Sequence, residues 1–277
     1  MSKPIIAFIG AGNMASSIIG GLVAKGFSAG QIIASDPYPD SLEKLREIAE
    51  VQTTDDNHQA IANADVVVLA VKPQAMKPIL EDLASSVQLN KPLVISIAAG
   101  IKAESLDQWL GGSMPIVRCM PNTPALVQTG ATALYANSVV TESQKQLADQ
   151  ILRSVGIALW VDEEPALDAV TAVSGSGPAY FFLVMEAMQA AGESMGLSTD
   201  AARQLTLQTA LGAAKMALSS DVDTAELRRR VTSPGGTTAE ALKVFDDQDL
   251  KGIFTQAMEA CRDRSEELAE ILGNDKE

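Results

Sequence analysis

Two rhythms of apolar residues divide the chain. Up to residue 161, short and nearly unbroken apolar runs recur at 4–10, 31–35, 64–71, 92–98, 114–119 and 131–135. Runs of this length that are apolar on nearly every residue predict strands buried on both faces. Residues 14–25, 41–50 and 104–110 instead carry apolar side chains at helical spacing. Strands alternating with helices predict an α/β fold with a doubly wound sheet. After Val161 no further strand run appears, and helices are separated by Gly, Ser and Pro. The boundary is placed near Glu163, giving an α/β domain at 1–163 and an all-helical domain at 164–277.

Residues 178–196 and 199–218 are rich in Ala, Met and Leu on most of their circumference. A domain this small can hardly cover two such helices, which predicts a partner subunit to bury them. The alternative is that they pack on each other and on the first domain. The most apolar stretch, 178–191, is broken by Glu186 and Gln189, and reads as a buried helix too short to cross a bilayer. Residues 274–277 read as a frayed tail.

Composition narrows the function. With 277 residues and 47% hydrophobic content the chain can bury a core in each domain. A formal charge of −14 makes nucleic acid and anionic membranes poor partners, since polyanionic surfaces are bound by clustered Lys and Arg. Cys119 and Cys261 lack metal or CxxC spacing, and no secretory leader is evident, so a reducing cytoplasm is expected.

Gly10, Gly12 and Ala15 form G-x-G-x-x-A directly after a strand and at the opening of a helix. Gly10 permits the sharp turn, Gly12 lets the backbone approach a pyrophosphate, and Ala15 lets the helix sit close on the sheet. The helix start then offers N–H groups to phosphates. Asp36 closes the second strand, where an acid can accept from the adenosine ribose and repel a 2′-phosphate. Asp36-Pro37 reads equally well as a turn start, which leaves NADPH against NADH open.

Two further loops stand out in the second domain. Residues 233–238, Ser-Pro-Gly-Gly-Thr-Thr, feed a helix, and Thr237 with Glu240 has capping-box spacing. Such a helix start could hold a small carboxylate, or simply be a capped helix. Residues 174–179, Ser-Gly-Ser-Gly-Pro-Ala, give Ser176 as an N-cap with Pro178 in the first turn.

Taken in order, GAGNMA at 10–15, AVKP at 70–73, SIAAG at 96–100, RCMPNTPA at 118–125, SGSGPAY at 174–180 and SPGGTT at 233–238 resemble pyrroline-5-carboxylate reductases. The resemblance implies a Rossmann domain, a helical dimerisation domain, and an active site completed by the partner subunit's helices. It implies a homodimer that assembles further, into a decamer. Carried over, Gly10, Ala11, Gly12, Asn13, Met14, Ala15, Ser35, Asp36, Asn57, Ala70, Val71, Lys72 and Pro73 would contact NADPH or NADH. Ser233, Gly235, Gly236, Thr237 and Thr238 would hold the substrate, with the Thr238 hydroxyl at the ring nitrogen. Two residues depart from the family pattern: Asp36 stands where Ser or Thr is usual, and Arg230 where an uncharged residue is usual.

The implied reaction is hydride transfer to the C=N bond of 1-pyrroline-5-carboxylate, giving proline. A carbonyl reductase must protonate an alkoxide and keeps an acid for it, whereas an imine can arrive protonated. One histidine in the chain fits that light demand. That residue, His58, lies in the polar run 53–59 and reads as a surface side chain. Lys72 is assigned to the cofactor loop alone, and Cys119 reads as a small buried hydrophobe. The rivals are another Rossmann imine or 3-hydroxyacid reductase, and a dinucleotide-binding regulator without turnover.

Overall fold

The computed structural model describes residues 4–273; the tail expected at 274–277 lies outside the described residues. The chain separates into two compact units. One runs to Ser176 and resumes at Ala260, and the other is Gly177–Glu259.

The first unit is built from β1 (Ile6–Ile9), α1 (Asn13–Ala24), β2 (Ile32–Ser35), α2 (Pro39–Ile48), β3 (Gln52–Thr54), α3 (Asn57–Ile61), β4 (Val66–Leu69) and α4 (Pro73–Asn90). It continues through β5 (Leu93–Ser96), α5 (Ala103–Trp109), β6 (Ile116–Met120), β7 (Gly130–Ala136), α6 (Glu142–Leu152), β8 (Gly156–Trp160) and α7 (Ala166–Val170). These strands form one sheet in the order β3-β2-β1-β4-β5-β6-β7-β8. It is parallel through β6, and β7 runs antiparallel to β6. β1, β4 and β5 are buried at every residue, which is why their sequences are apolar apart from Ser96 at the end of β5.

Period-two alternation assigns the two faces. Ile6 and Phe8 of β1 pack with Ile18 and Ile19 of α1, while Ala7 and Ile9 face the cluster holding Leu80 and Leu83 of α4. Each fully buried Leu or Ile contributes about 1.5–3 kcal/mol of transfer free energy. The doubly wound α/β sheet predicted from sequence is the observed one. β3 and β8 were not anticipated: β3 is Gln-Thr-Thr inside a polar run, and β8 exposes Ile157 and Leu159.

The second unit holds α8 (Gly177–Ser194), α9 (Thr199–Leu218), α10 (Thr224–Arg230), α11 (Thr237–Asp247) and the start of α12 (Leu250–Gly273). From Ala260 onward α12 belongs to the first unit, where Ser265 donates to Asp168 Oδ1 at 2.7 Å.

The expectation for residues 178–191 needs correcting twice. α7, a π-helical turn at Thr171–Gly175 and α8 form one helical run, Ala166–Ser194, whose 29 residues are long and apolar enough to cross a membrane by length and composition. Nor is the helix buried within the chain. Only Gly177 and Gly192 of α8 are buried, and Phe181, Phe182 and Leu183 remain 67%, 63% and 66% exposed. α8 does pack on α9, with Gly192 against Ala202, yet that contact leaves most of its apolar circumference bare.

Candidate active site

The sheet order reverses direction about β1: β2 and β3 lie on one side, β4 and its successors on the other. In open α/β sheets the crevice at such a reversal, beyond the carboxyl ends of the strands, is where ligands bind. Gly10 leaves β1 there with φ +100°, a conformation that favours glycine. A Cβ on Gly10 would lie 2.7 Å from the Ala70 carbonyl oxygen, so the loops after β1 and β4 touch. The Gly10 N–H donates to Ser35 O at 2.7 Å, and the Ala70 N–H donates to Ile9 O at 2.8 Å.

Gly12 is the N-cap of α1, and no side chain caps this helix. Open space surrounds the position a Gly12 Cβ would take. Its first-turn N–H groups therefore face a free approach suited to an anion. Asn13 is exposed, Met14 half-buried, and Ala15 is buried against the sheet. Ala11, Gly12, Asn13, Ser17, Lys44 and Gln128 border a cleft of about 650 Å³ beside this loop. These features fit a dinucleotide: a backbone cradle, an uncapped helix start, and a close approach only glycine allows.

Asp36 is buried, and each oxygen of its carboxylate accepts one backbone hydrogen bond. Oδ2 accepts from the Ala11 N–H at 2.8 Å and Oδ1 from the Tyr38 N–H at 2.9 Å. The second bond is the local turn expected of Asp-Pro, and the first ties the end of β2 to the phosphate loop. Ser35 Oγ donates to Asn57 Oδ1 at 2.7 Å, joining β2 to the start of α3. Asp56 caps α3 by accepting from the His58 N–H at 2.8 Å. After β4 come Ala70 and Val71, then Lys72 as the N-cap of α4 with Pro73 at its opening. The structure thus gathers the residues expected to contact the cofactor at one edge of the sheet.

His58 is half-exposed, with Nε2 3.0 Å from Asp82 Oδ2 and Nδ1 2.9 Å from Ser86 Oγ, both on α4. It joins two helices at the surface. Cys119 is buried; burial pushes its thiol well above the ordinary range, leaving no thiolate to react. One ion pair escaped the sequence altogether. Arg118 Nη1 meets Glu164 Oε1 at 2.6 Å, and the same oxygen accepts from the Ala103 N–H at 2.6 Å. No spacing rule flags such a pair.

The loop 233–238 lies in the second unit, between α10 and α11. Gly235 has φ +68°, and the Gly236 N–H donates to Ser233 O at 3.0 Å, closing a tight turn. The expected capping box is absent. Gly236 is the N-cap of α11, Thr237 is already helical, and no side chain caps the helix. Its first turn consequently stays open to a carboxylate, with Thr237 and Thr238 both exposed. Arg230 pairs with Glu226 at 2.9 Å, as does Arg229 at 2.6 Å. Hydrogen bonds from Arg229 and then Arg230 hold the Glu226 carboxyl down at about 2. Ser176 is not an N-cap either: it has helical dihedrals inside the continuous run, and its Oγ lies 3.2 Å from Cys261 Sγ.

Comparison with known proteins decides the family. Residues 164–268 match the family model described as pyrroline-5-carboxylate reductase dimerisation. Residues 5–100 match the model described as NADP oxidoreductase, coenzyme F420-dependent. A pyrroline-5-carboxylate reductase of Pseudomonas aeruginosa is 58% identical over 99% of this chain and 100% of its own length. The chain belongs to the pyrroline-5-carboxylate reductase family. A solved pyrroline-5-carboxylate reductase from Coxiella burnetii superposes with TM-score 0.93 at 46% identity, covering 97% of this chain and 99% of that one. The Plasmodium falciparum pyrroline carboxylate reductase, solved with NADP bound, gives TM-score 0.86 at 29% identity, covering 97% and 99%. Residues 164–268 carry a dimerisation module, so the chain associates into an oligomer, and the bare apolar circumference of α8 lies within it.

Proposed function

We propose that this chain is an NAD(P)H-dependent oxidoreductase that reduces the C=N bond of 1-pyrroline-5-carboxylate to L-proline, the last step of proline biosynthesis. The observation that carries the proposal is the meeting of the Gly10 and Ala70 loops at the sheet's reversal point, in a chain of this family. Gly10, Ala11, Gly12, Asn13, Met14 and Ala15 hold the pyrophosphate through backbone N–H groups and the start of α1. Ser35, Asp36 and Asn57 hold the adenosine ribose, and Ala70, Val71, Lys72 and Pro73 line the path beyond β4. NADPH or NADH, when bound, supplies the hydride.

Ser233, Gly235, Gly236 and Thr237 hold the substrate carboxylate at the uncapped start of α11. As hydride reaches the ring carbon of the protonated imine, the ring nitrogen gains a lone pair. The Thr238 hydroxyl donates to that lone pair, an interaction that strengthens as the reaction proceeds. The nitrogen already carries its proton, so the loop needs no general acid. Residues 233–238 contain no His, Lys or Tyr.

The helical region from 164 onward serves dimerisation and substrate binding, and the Rossmann region to 163 serves the cofactor. The dimers assemble into a decamer in the cytoplasm. Replacing Thr238 tests the assignment: Thr238→Ala should lower kcat/KM for the imine by the equivalent of about 1–3 kcal/mol, with NADPH affinity held. Steady-state kinetics beside a cofactor titration measure both, and unchanged kinetics would remove Thr238 from the site.

A further inference from the structure

Pro178 has no N–H, so the helical hydrogen bond that the Ser174 carbonyl would accept four residues back has no donor. A half-buried carbonyl shielded from water in that state is costly. Asn122 supplies the missing donor: its Nδ2 donates to Ser174 O at 3.0 Å. The Oδ1 of the same side chain accepts from the Ala131 N–H, at the start of β7, at 2.9 Å. Asn122 is 8% exposed, and these side-chain partners are backbone groups.

The turn it grips is irregular. Ser176 N–H donates to Thr171 O at 2.8 Å, five residues back, in a π-helical turn of the kind often found at functional sites. Gly175 packs against the Met120 methyl, and a Cβ there would have to displace the end of that flexible side chain. Met120 ends β6 and Asn122 follows it, at the same carboxyl edge as Gly10 and Ala70. A dinucleotide with its adenosine beside β2 and its pyrophosphate at Gly12 points its other end toward β4, β5 and β6.

We infer that Asn122 is a positioning residue for the reacting end of the site: by supplying the donor that Pro178 withholds from Ser174, it holds the turn 171–175 against the end of β6. The inference rests on the cofactor placement proposed above. If the turn drifts, the floor against which the nicotinamide lies drifts with it, while the adenosine half stays anchored by Asp36 and Asn57.

Asn122→Asp separates this role from simple support. Ionised, the new side chain has no proton to give Ser174 O; protonated, it can donate again. Divided by the unaltered enzyme at each pH, its kcat/KM for 1-pyrroline-5-carboxylate should fall on the order of tenfold between about pH 5 and pH 8. NADPH affinity should change less than about twofold over the same range. Asn122→Ala should show a loss that does not vary with pH. A flat Asn122→Asp ratio accompanied by a melting temperature that does follow pH would overturn the inference, as would kinetics equal to the unaltered enzyme in both variants. Failure of the unaltered chain to reduce the imine at all would bring down the proposed function, and this inference with it.

Discussion

β4 and α8 are both apolar, and they meet opposite fates within one chain. Val66, Val67, Val68 and Leu69 are at most 1% exposed, whereas Phe181, Phe182 and Leu183 of α8 stay largely bare. β4 sits in the middle of a sheet covered on both faces by α1, α2 and α6 on one side and α3, α4 and α5 on the other, so the first unit completes its own core. α8 has α9 beside it and little else. Apolar patterning states that a surface will be covered; it does not say by which chain. The dimerisation module matched at 164–268 contains the whole of α8.

The sharpest way to break this contrast is to charge the bare face. Phe182→Glu should weaken self-association by about 2–4 kcal/mol, as expected for a central aromatic anchor. Light scattering across a dilution series would reveal monomer where the parent remains associated. The first unit should keep its cofactor affinity, and a variant that stays associated would mean that this face is covered some other way.

A smaller effect is expected within the first unit. Asp36→Ser removes a carboxylate that binds two backbone N–H groups, and should cost about 1–2 kcal/mol of stability. It should also raise NADPH efficiency over NADH severalfold by removing a charge that repels a 2′-phosphate, with no change in self-association. An unaltered cofactor ratio would show that the carboxylate serves the loop alone.

What the sequence made legible follows from the same physics. Central strands announce themselves because burial on both faces keeps them almost wholly apolar, with Ser35, Ser96 and Arg118 as the buried polar exceptions in β2, β5 and β6. β3 and β8 are edge strands, with Gln52, Ile157 and Leu159 free to face solvent, and so carry no such pattern. The phosphate loop was legible because Gly10 is forced by sterics against Ala70, a constraint recorded locally in residue type. Ser233–Thr238 was legible as a turn, but its cap fell one residue early, on Gly236, where dihedral angles rather than side chains decide. Arg118–Glu164 and Asn122–Ser174 were hidden because each joins residues 46 or 52 positions apart with no repeating pattern. The return of α12 to the first unit was equally silent, since its 24 residues contain no break at Ala260.

The most direct test of the account is the loss of reduced-nicotinamide absorbance on adding 1-pyrroline-5-carboxylate, with NADPH and NADH in parallel and a linear amino aldehyde that cannot cyclise as the control. Rapid oxidation is expected with the cyclic imine and none with the open-chain carbonyl, because the loop 233–238 supplies no acid for an alkoxide. Equal oxidation with the aldehyde, or none with the imine under either cofactor, would contradict it.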